Sequence, residues 1–181
     1  MSDTVPLADA FHYCPQCGVA HNQIGRNPFL CAGCGFTFYF SPIVGVVCLI
    51  ETPQHEIVML IRQRDPGKGL FGLPGGFVDA GESADDAARR EVREELQLTV
   101  TRLTYQGSFP NRYRFRGIEL PVADLIFHCE VESLATLKAD PGEVAGVHIC
   151  HPGPAELDRM AFPSNRQGLE LFLKRRSGNS P

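Results

Sequence analysis

Ala84, Ala88, Val92 and Leu96 recur at four-residue intervals through a stretch, 83–98, otherwise rich in charged side chains. That interval lines the four up as a narrow apolar stripe and predicts a helix with one face in a core. Ser83 is a suitable N-cap, Asp86 stands where a capping-box partner would, and Ala84, Ala87 and Ala88 favour helical backbone. Other segments read as strands. Residues 43–50 and 57–61 are near-continuous β-branched runs, and they predict two buried strands paired across the polar turn at 52–56. Residues 99–109, 122–131 and 144–149 also have strand character. Residues 155–160 and 166–175 read as helices, the second with Leu169, Phe172 and Leu173 on one side. Residues 1–10 carry no period and read as a loose lead-in, and the tail 177–181 reads as disordered. Strands interleaved with helices make this an α/β chain with an α/β/α sandwich.

A length of 181 residues allows one globular domain and a small appendage, and 43% hydrophobic with 21% charged residues is an ordinary soluble composition. No apolar run approaches the roughly 20 residues that span a bilayer, and the N-terminus lacks a basic-then-apolar leader pattern, so the expectation is cytoplasmic, with no membrane partner. The net charge of -4 argues against broad nucleic-acid binding. An acidic chain that handled phosphates would need cations at its site.

Four of the seven cysteines form two Cys-x-x-Cys pairs, Cys14/Cys17 and Cys31/Cys34, each followed by a glycine. Two residues between thiolates let both reach one metal, and the glycine permits the turn that aims backbone N–H groups at sulfur. Two such knuckles predict a structural Cys₄ Zn²⁺ site with no position left for substrate. They resemble zinc-ribbon modules and would help fold residues 1–41, which are too few for a core of their own. His12 and His21 read as solvent-exposed rather than as ligands. Cys48, Cys129 and Cys150 read as small buried residues.

Beside the apolar stripe, Glu91, Glu94 and Glu95 fall on one arc of the helix, where like charges repel unless something binds them. Arg90 can pair with Glu94. Three carboxylates on one face suit a hard divalent cation, Mg²⁺ or Mn²⁺, and a solvated charged face is the bland alternative. Gly75 and Gly76, without Cβ atoms, would let their carbonyls approach the same ion.

Gly76, then five residues, Glu82, seven more, and Arg90-Glu91-Val92-Arg93-Glu94-Glu95 resembles the Nudix box of hydrolases that act on nucleoside diphosphates linked to another moiety. Leu98 also matches, and Gln97 departs from the family's glycine. The resemblance implies a Nudix fold over residues 42–176. It implies Glu91, Glu94 and Glu95 as metal ligands with the Gly75 or Gly76 carbonyl, Arg90 orienting Glu91, and Glu82 as an outer partner near the metals. Water would attack phosphorus and split the P–O–P linkage. The proton acceptor is a box glutamate or one from a distant loop, for which Glu143 is the candidate here. Arg62 and Arg64 are read as phosphate contacts or as surface charge. Arg112, Tyr113 and Phe115, in an alternation of arginines and aromatics, are read as base and phosphate contacts or as a half-exposed hairpin.

A zinc ribbon before a Nudix domain is similar to NADH, FAD and ADP-ribose pyrophosphatases, which implies a small dinucleotide or nucleotide-sugar substrate and a possible homodimer. The NADH group carries Ser-Gln-Pro-Trp-Pro-Phe-Pro after the box, whereas this chain has Gly107-Ser108-Phe109-Pro110 and no tryptophan. The rival reading is a catalytically silent nucleotide sensor, against which the complete set of box carboxylates argues.

Overall fold

The computed structural model describes residues 4–178. Its contacts divide the chain into two compact units, one made of the residues up to Ile43 with Arg112–Val122, the other of Val44–Asn111 with the residues from Ala123 onward. Strands are β1 (Val5–Pro6), β2 (Phe29–Leu30), β3 (Thr37–Phe38), β4 (Ile43–Ile50), β5 (Ile57–Arg62), β6 (Phe71–Gly72), β7 (Val100–Phe115), β8 (Ile118–Val131) and β9 (Val144–Cys150). Helices are α1 (Ala84–Leu96), α2 (Pro154–Leu157) and α3 (Pro163–Arg176), with a 3₁₀ turn at Leu7–Ala10.

In the first unit, β2 and β3 form a short antiparallel ladder, Phe29 facing Phe38. Phe29, Phe40, Cys14 and Cys31 are its buried centre, joined by Phe11, Phe36 and Leu7. The rings contact edge to face, Phe11 with Phe40 at 4.8 Å and Phe38 with Phe40 at 5.2 Å between centroids. The lead-in is not loose along its described length. β1 runs parallel to the start of β8, Val5 beside Ile118, and the Val5 N–H donates to the Gly117 carbonyl at 3.0 Å. Sequence periodicity misses it because two residues are too few to show a period. Residues 1–3 of that lead-in lie outside the described residues, as do 179–181 of the tail.

The second unit is a mixed α/β sandwich. β4 sends Val46, Cys48 and Ile50 to one core, with Ala87, Ala88, Val92 and Leu96 of α1. It sends Val47 and Leu49 to the other, with Leu169 and Phe172 of α3. β5 divides likewise, Val58 and Leu60 against Ile57 and Met59. Strands covered on both faces need apolar residues at every position, which explains the continuous runs.

The expected pairing of 43–50 with 57–61 is corrected. β4 lies in a sheet with β8, while β5 is central to a second sheet ordered β6-β5-β9. Among the described residues the two strands meet at an isolated bridge, Glu51 with Ile57. The polar turn exists, with the Thr52 N–H donating to the Glu56 carbonyl at 2.8 Å, but the chain leaves it into another sheet. Strand character alone carries no information about the partner.

β7 and β8 form one long hairpin, so the strand predicted to end at Phe109 continues six residues further, through Pro110. Proline is tolerated because β7 pairs with β8 alone. The reversal is at Arg116-Gly117, with φ of 48° and 81° as two-residue hairpin loops require. The helix expected at 155–160 is the shorter α2. The one expected from Arg166 begins at Pro163, whose missing N–H costs nothing at a first helical position.

Candidate active site

Helix α1 begins as expected. Ser83 Oγ accepts the Asp86 N–H at 3.2 Å and donates to the Asp86 carboxylate at 2.7 Å. The helix ends at Gln97, which takes the left-handed conformation at φ 56° and donates its N–H to the Arg93 carbonyl. The family's glycine would sit here without strain. Segment 138–140 closes two more carbonyls, Lys138 N–H to Leu96 and Asp140 N–H to Glu95, each at 2.9 Å.

The glycine turn lies along the free edge of β4. The Val46 N–H donates to the Gly76 carbonyl and the Cys48 N–H to the Pro74 carbonyl, both at 2.8 Å. A Cβ at Gly75 would lie 2.1 Å from the Val46 carbonyl oxygen, and one at Gly76 would lie 2.4 Å from the Glu91 carboxylate. Gly75 cannot carry a side chain against that backbone, and one at Gly76 would displace the Glu91 carboxylate. The absence of a Cβ at Gly76 creates the hollow in which the Glu91 carboxylate sits.

The three box glutamates form a gradient of exposure. Glu95 is buried, at 8%. Glu91 has a side chain 12% exposed and Glu94 one 57% exposed. Glu95 accepts the Gly75 N–H at 2.9 Å. Burial pushes its carboxyl up to about 8, opposed by that N–H and reinforced by Glu91 and Glu143. Glu91 is also raised, chiefly by burial and against the pull of Arg90. An inward carboxylate held against its own desolvation is a ready acceptor for a cation that restores its charge.

Arg90 organises the rest. Its Nε and Nη2 hold the two oxygens of Glu82 at 2.9 and 3.0 Å, a bidentate fork. Nη1 reaches Glu91 at 2.7 Å and Glu94 at 3.1 Å, and Nη2 also donates to the Phe77 carbonyl at 3.0 Å. The Arg90 guanidinium, first of all, and the Asp79 N–H hold Glu82 below the usual carboxylate range. Glu82 is therefore the partner that fixes Arg90, and Arg90 in turn orients Glu91.

Glu143 is exposed on the turn after Asp140. Its backbone carbonyl accepts the Gln63 N–H at 2.9 Å, and its carboxylate lies 3.8 Å from Arg64. It is close enough that its charge helps raise both Glu91 and Glu95. Arg62 donates to the Pro66 carbonyl at 2.7 Å and lies 4.8 Å over the Phe162 ring. Arg112, Tyr113 and Phe115 belong to the other unit, on the β7–β8 hairpin. There Arg112 and Arg114 pair with Glu119 at 3.3 and 2.8 Å, and the Tyr113 and Phe115 rings are 6.4 Å apart.

The four box-distant cysteines converge. Their sulfurs all lie within 4.8 Å of one another, and among the described residues they are the one set of three or more such ligand atoms that does so. Cys14 and Cys34 sulfurs are 3.7 Å apart, Cys17 and Cys31 3.6 Å. A tetrahedral zinc with Zn–S near 2.3 Å places its sulfurs roughly 3.8 Å apart, so the donor set fits the ion. The two knuckles repeat each other. Cys14 N–H donates to Val19 and Cys31 N–H to Phe36, while Gly18 and Gly35, at φ 74° and 75°, donate back to the cysteine carbonyls. The Cys34 N–H, against the opposing effect of burial, draws the Cys31 thiol down to about 6, while, against the Phe36 N–H, burial and the neighbouring thiols push Cys34 up. His21 is half-buried against Phe29 at 4.3 Å.

Two features escaped sequence reasoning. Glu95 is a core position, and its spacing of three from Val92 and seven from Ala88 is the signal that could have revealed it. The buried polar group Asp124, Ser164 and Asn165 has no pattern of its own. Asp124 accepts from Asn111 at 2.8 Å and from Ser164, and its carboxyl is raised, chiefly by burial.

The family model described as NUDIX domain matches residues 41–172. The chain belongs to the Nudix family. Curated relatives include the NAD-capped RNA hydrolase of Pseudomonas fluorescens, 33% identical over 93% of this chain and 58% of that protein. The ADP-ribose pyrophosphatase of Methanocaldococcus jannaschii is 41% identical over 35% of this chain and 37% of its own length. The matches cover between 25% and 58% of the length of the NAD-capped RNA hydrolases. A Nudix hydrolase structure from Nitrosomonas europaea aligns with a TM-score of 0.67 over 93% of this chain and 94% of that one, at 21% identity, a likeness of fold. Among the described residues no helix is long and apolar enough to cross a membrane.

Proposed function

We propose that the chain hydrolyses the pyrophosphate linkage of a nucleoside diphosphate joined to another moiety, a dinucleotide or nucleotide sugar of the ADP-ribose, FAD or NADH type. The observation that carries this reading is the graded glutamate trio on α1, set against a side-chain-free glycine turn and organised by the Arg90 fork. Glu91, Glu94 and Glu95 would hold Mg²⁺ or Mn²⁺, with a carbonyl of the Gly75-Gly76 turn. When bound, the ion would neutralise developing phosphate charge and acidify its water.

The protein's own contribution is positional. Arg90 keeps Glu91 turned into the Gly76 hollow, the Gly75 N–H keeps Glu95 inward, and Glu94 stands toward solvent. The water's remaining proton would pass to Glu91, to Glu94 or to Glu143 across the site. Arg62 and Arg64, near the Glu143 turn, would take substrate phosphate oxygens. The names of the relatives, an NAD-capped RNA hydrolase and an ADP-ribose pyrophosphatase, favour a substrate with an adenosine diphosphate half.

A Mg²⁺-dependent screen over NADH, ADP-ribose, FAD, dinucleoside polyphosphates and nucleoside triphosphates tests it. The expected product is AMP with a second phosphate ester. Silence across the panel while the ion still binds would favour a nucleotide sensor instead.

A further inference from the structure

We infer that Asn165, in the first turn of α3, is a positioning residue for the glycine turn. Resting on the reading of the box as a cation site, the proposal adds a residue far from it in sequence. Asn165 is 4% exposed, in a place where an apolar side chain would bury more easily. Its side-chain oxygen accepts the Leu73 N–H at 3.1 Å across a separation of 92 residues. Leu73 is itself buried, so its N–H needs a partner from the protein or a costly one from water.

The bond adds to the β6 pairing of Gly72 with Leu60 and to the holds on its neighbours. The Phe71 N–H donates to Arg159 at 3.0 Å and its carbonyl accepts from Ala161 at 2.7 Å. Asn165 takes Leu73, Cys48 takes Pro74, Glu95 takes Gly75 and Val46 takes Gly76. The segment leading into α3 thus fixes the chain before the turn, and β4 and Glu95 fix the turn itself. The start of α3 is in turn held down. Ser164 and Asn111 both donate to Asp124, and a Cβ at Gly168 would come within 2.8 Å of Ile126, so helix and β8 are at closest approach. Without the Leu73 bond, the chain entering the turn loses its hold from α3, and the Gly75–Glu95 bond is positioned by β4 alone.

The test compares Asn165→Ala, Asn165→Asp, which keeps an acceptor oxygen in place, and Leu169→Ala, which loosens α3 through packing alone. Amide hydrogen exchange reads the turn with neither substrate nor divalent ion. Asn165→Ala is expected to speed exchange in the 70–78 segment selectively and to lower kcat by up to roughly 100-fold, the cost of about a 1 Å misplacement, with KM little moved. Asn165→Asp should restore most of kcat, and Leu169→Ala should lower Tm without that loss. Exchange that rises evenly over the chain, or an equal kcat loss in Leu169→Ala at matched Tm loss, would overturn the assignment. If Asn165→Ala does not fold, Asn165→Ser carries the same comparison. A wild-type protein without turnover would defeat the hydrolase reading alone, since selective or even exchange still decides the role of Asn165.

Discussion

Among the described residues, four converging thiols and a trio of glutamates on one helix are built on opposite principles. The thiol cluster is closed. Four sulfurs of one kind sit at nearly the spacing a tetrahedral ion imposes, each pair held by its own short turn, with the same hydrogen bonds repeated twice. The glutamate cluster is graded and open. Its three carboxylates run from buried to exposed and are held unequally: Glu95 by the Gly75 N–H, Glu91 by Arg90, and the exposed Glu94 by the same Arg90 at the edge of solvent. A closed set of soft donors gives folding energy and no chemistry. An unequal set of hard donors, held in place by arginine and backbone rather than by an ion, leaves room for a cation and a substrate to come and go.

The largest effect should come from breaking the closed cluster. Cys31→Ser removes one of four thiolates from a unit whose other core is a handful of phenylalanines. Structural zinc is worth about 10–16 kcal/mol in small zinc-finger peptides, so the first unit should lose its order. Elemental analysis should find zinc lost, and exchange in residues 4–43 should become rapid.

Breaking the open cluster should instead leave folding intact and remove turnover. Glu94→Gln and Glu95→Gln should each lower hydrolysis by at least about a hundredfold, more than an outer partner's contribution, with zinc content unchanged. Near-normal turnover in both would sink the assignment of the chemistry to this helix. Glu82→Gln removes the fork on Arg90 and should cost roughly 10–100-fold through the loss of Glu91 orientation.

The contrast is sharpened by pH. Burial raises Glu95 to about 8 in the folded protein, above its usual carboxylate value, so the folded state binds more protons than the unfolded state between the two. Stability without added divalent ion should therefore fall as pH rises from the ordinary carboxylate range to about 8, then level off. Thermal melts should show this slope in wild type and a flatter one in Glu95→Gln. A slope unchanged by that substitution would place the titration elsewhere.

The smallest effect should be at the helix exit. Gln97→Gly relieves a left-handed non-glycine residue worth about 1 kcal/mol, less the entropy glycine adds to the unfolded chain. A rise in Tm of no more than roughly 2–4 °C, with activity unchanged, is expected for a chain of this size.

What could be read in the sequence follows from how local each feature is. The thiol cluster was legible because its geometry is written in spacings of two residues and a following glycine. So was α1, with its N-cap, its stripe and its carboxylates. The need for both Gly75 and Gly76 was legible as a lack of side chain. Its cause, the Val46 carbonyl and the Glu91 carboxylate, comes from elements 29 and 15 residues away. Strand partners were not legible, because β4 and β5 are alike in composition and differ only in which sheet accepts them. Asn165 was invisible for the same reason, since one polar residue after Phe162-Pro163-Ser164 gives no sign of an N–H waiting at Leu73. Arg116-Gly117 lacks the Asn-Gly signature of a hairpin loop, and the hairpin was correspondingly underestimated in length.

The most direct measurement of the contrast is a metal inventory taken alongside activity. Protein dialysed free of exchangeable ions, then titrated with Mn²⁺ and followed by electron paramagnetic resonance, should retain one zinc per chain throughout. It should bind Mn²⁺ reversibly, with hydrolysis rising in step with Mn²⁺ occupancy, and Glu94→Gln should lose both while keeping its zinc. Hydrolysis that followed zinc content, or persisted in Glu94→Gln without bound Mn²⁺, would contradict the division of the two sites into one for folding and one for chemistry.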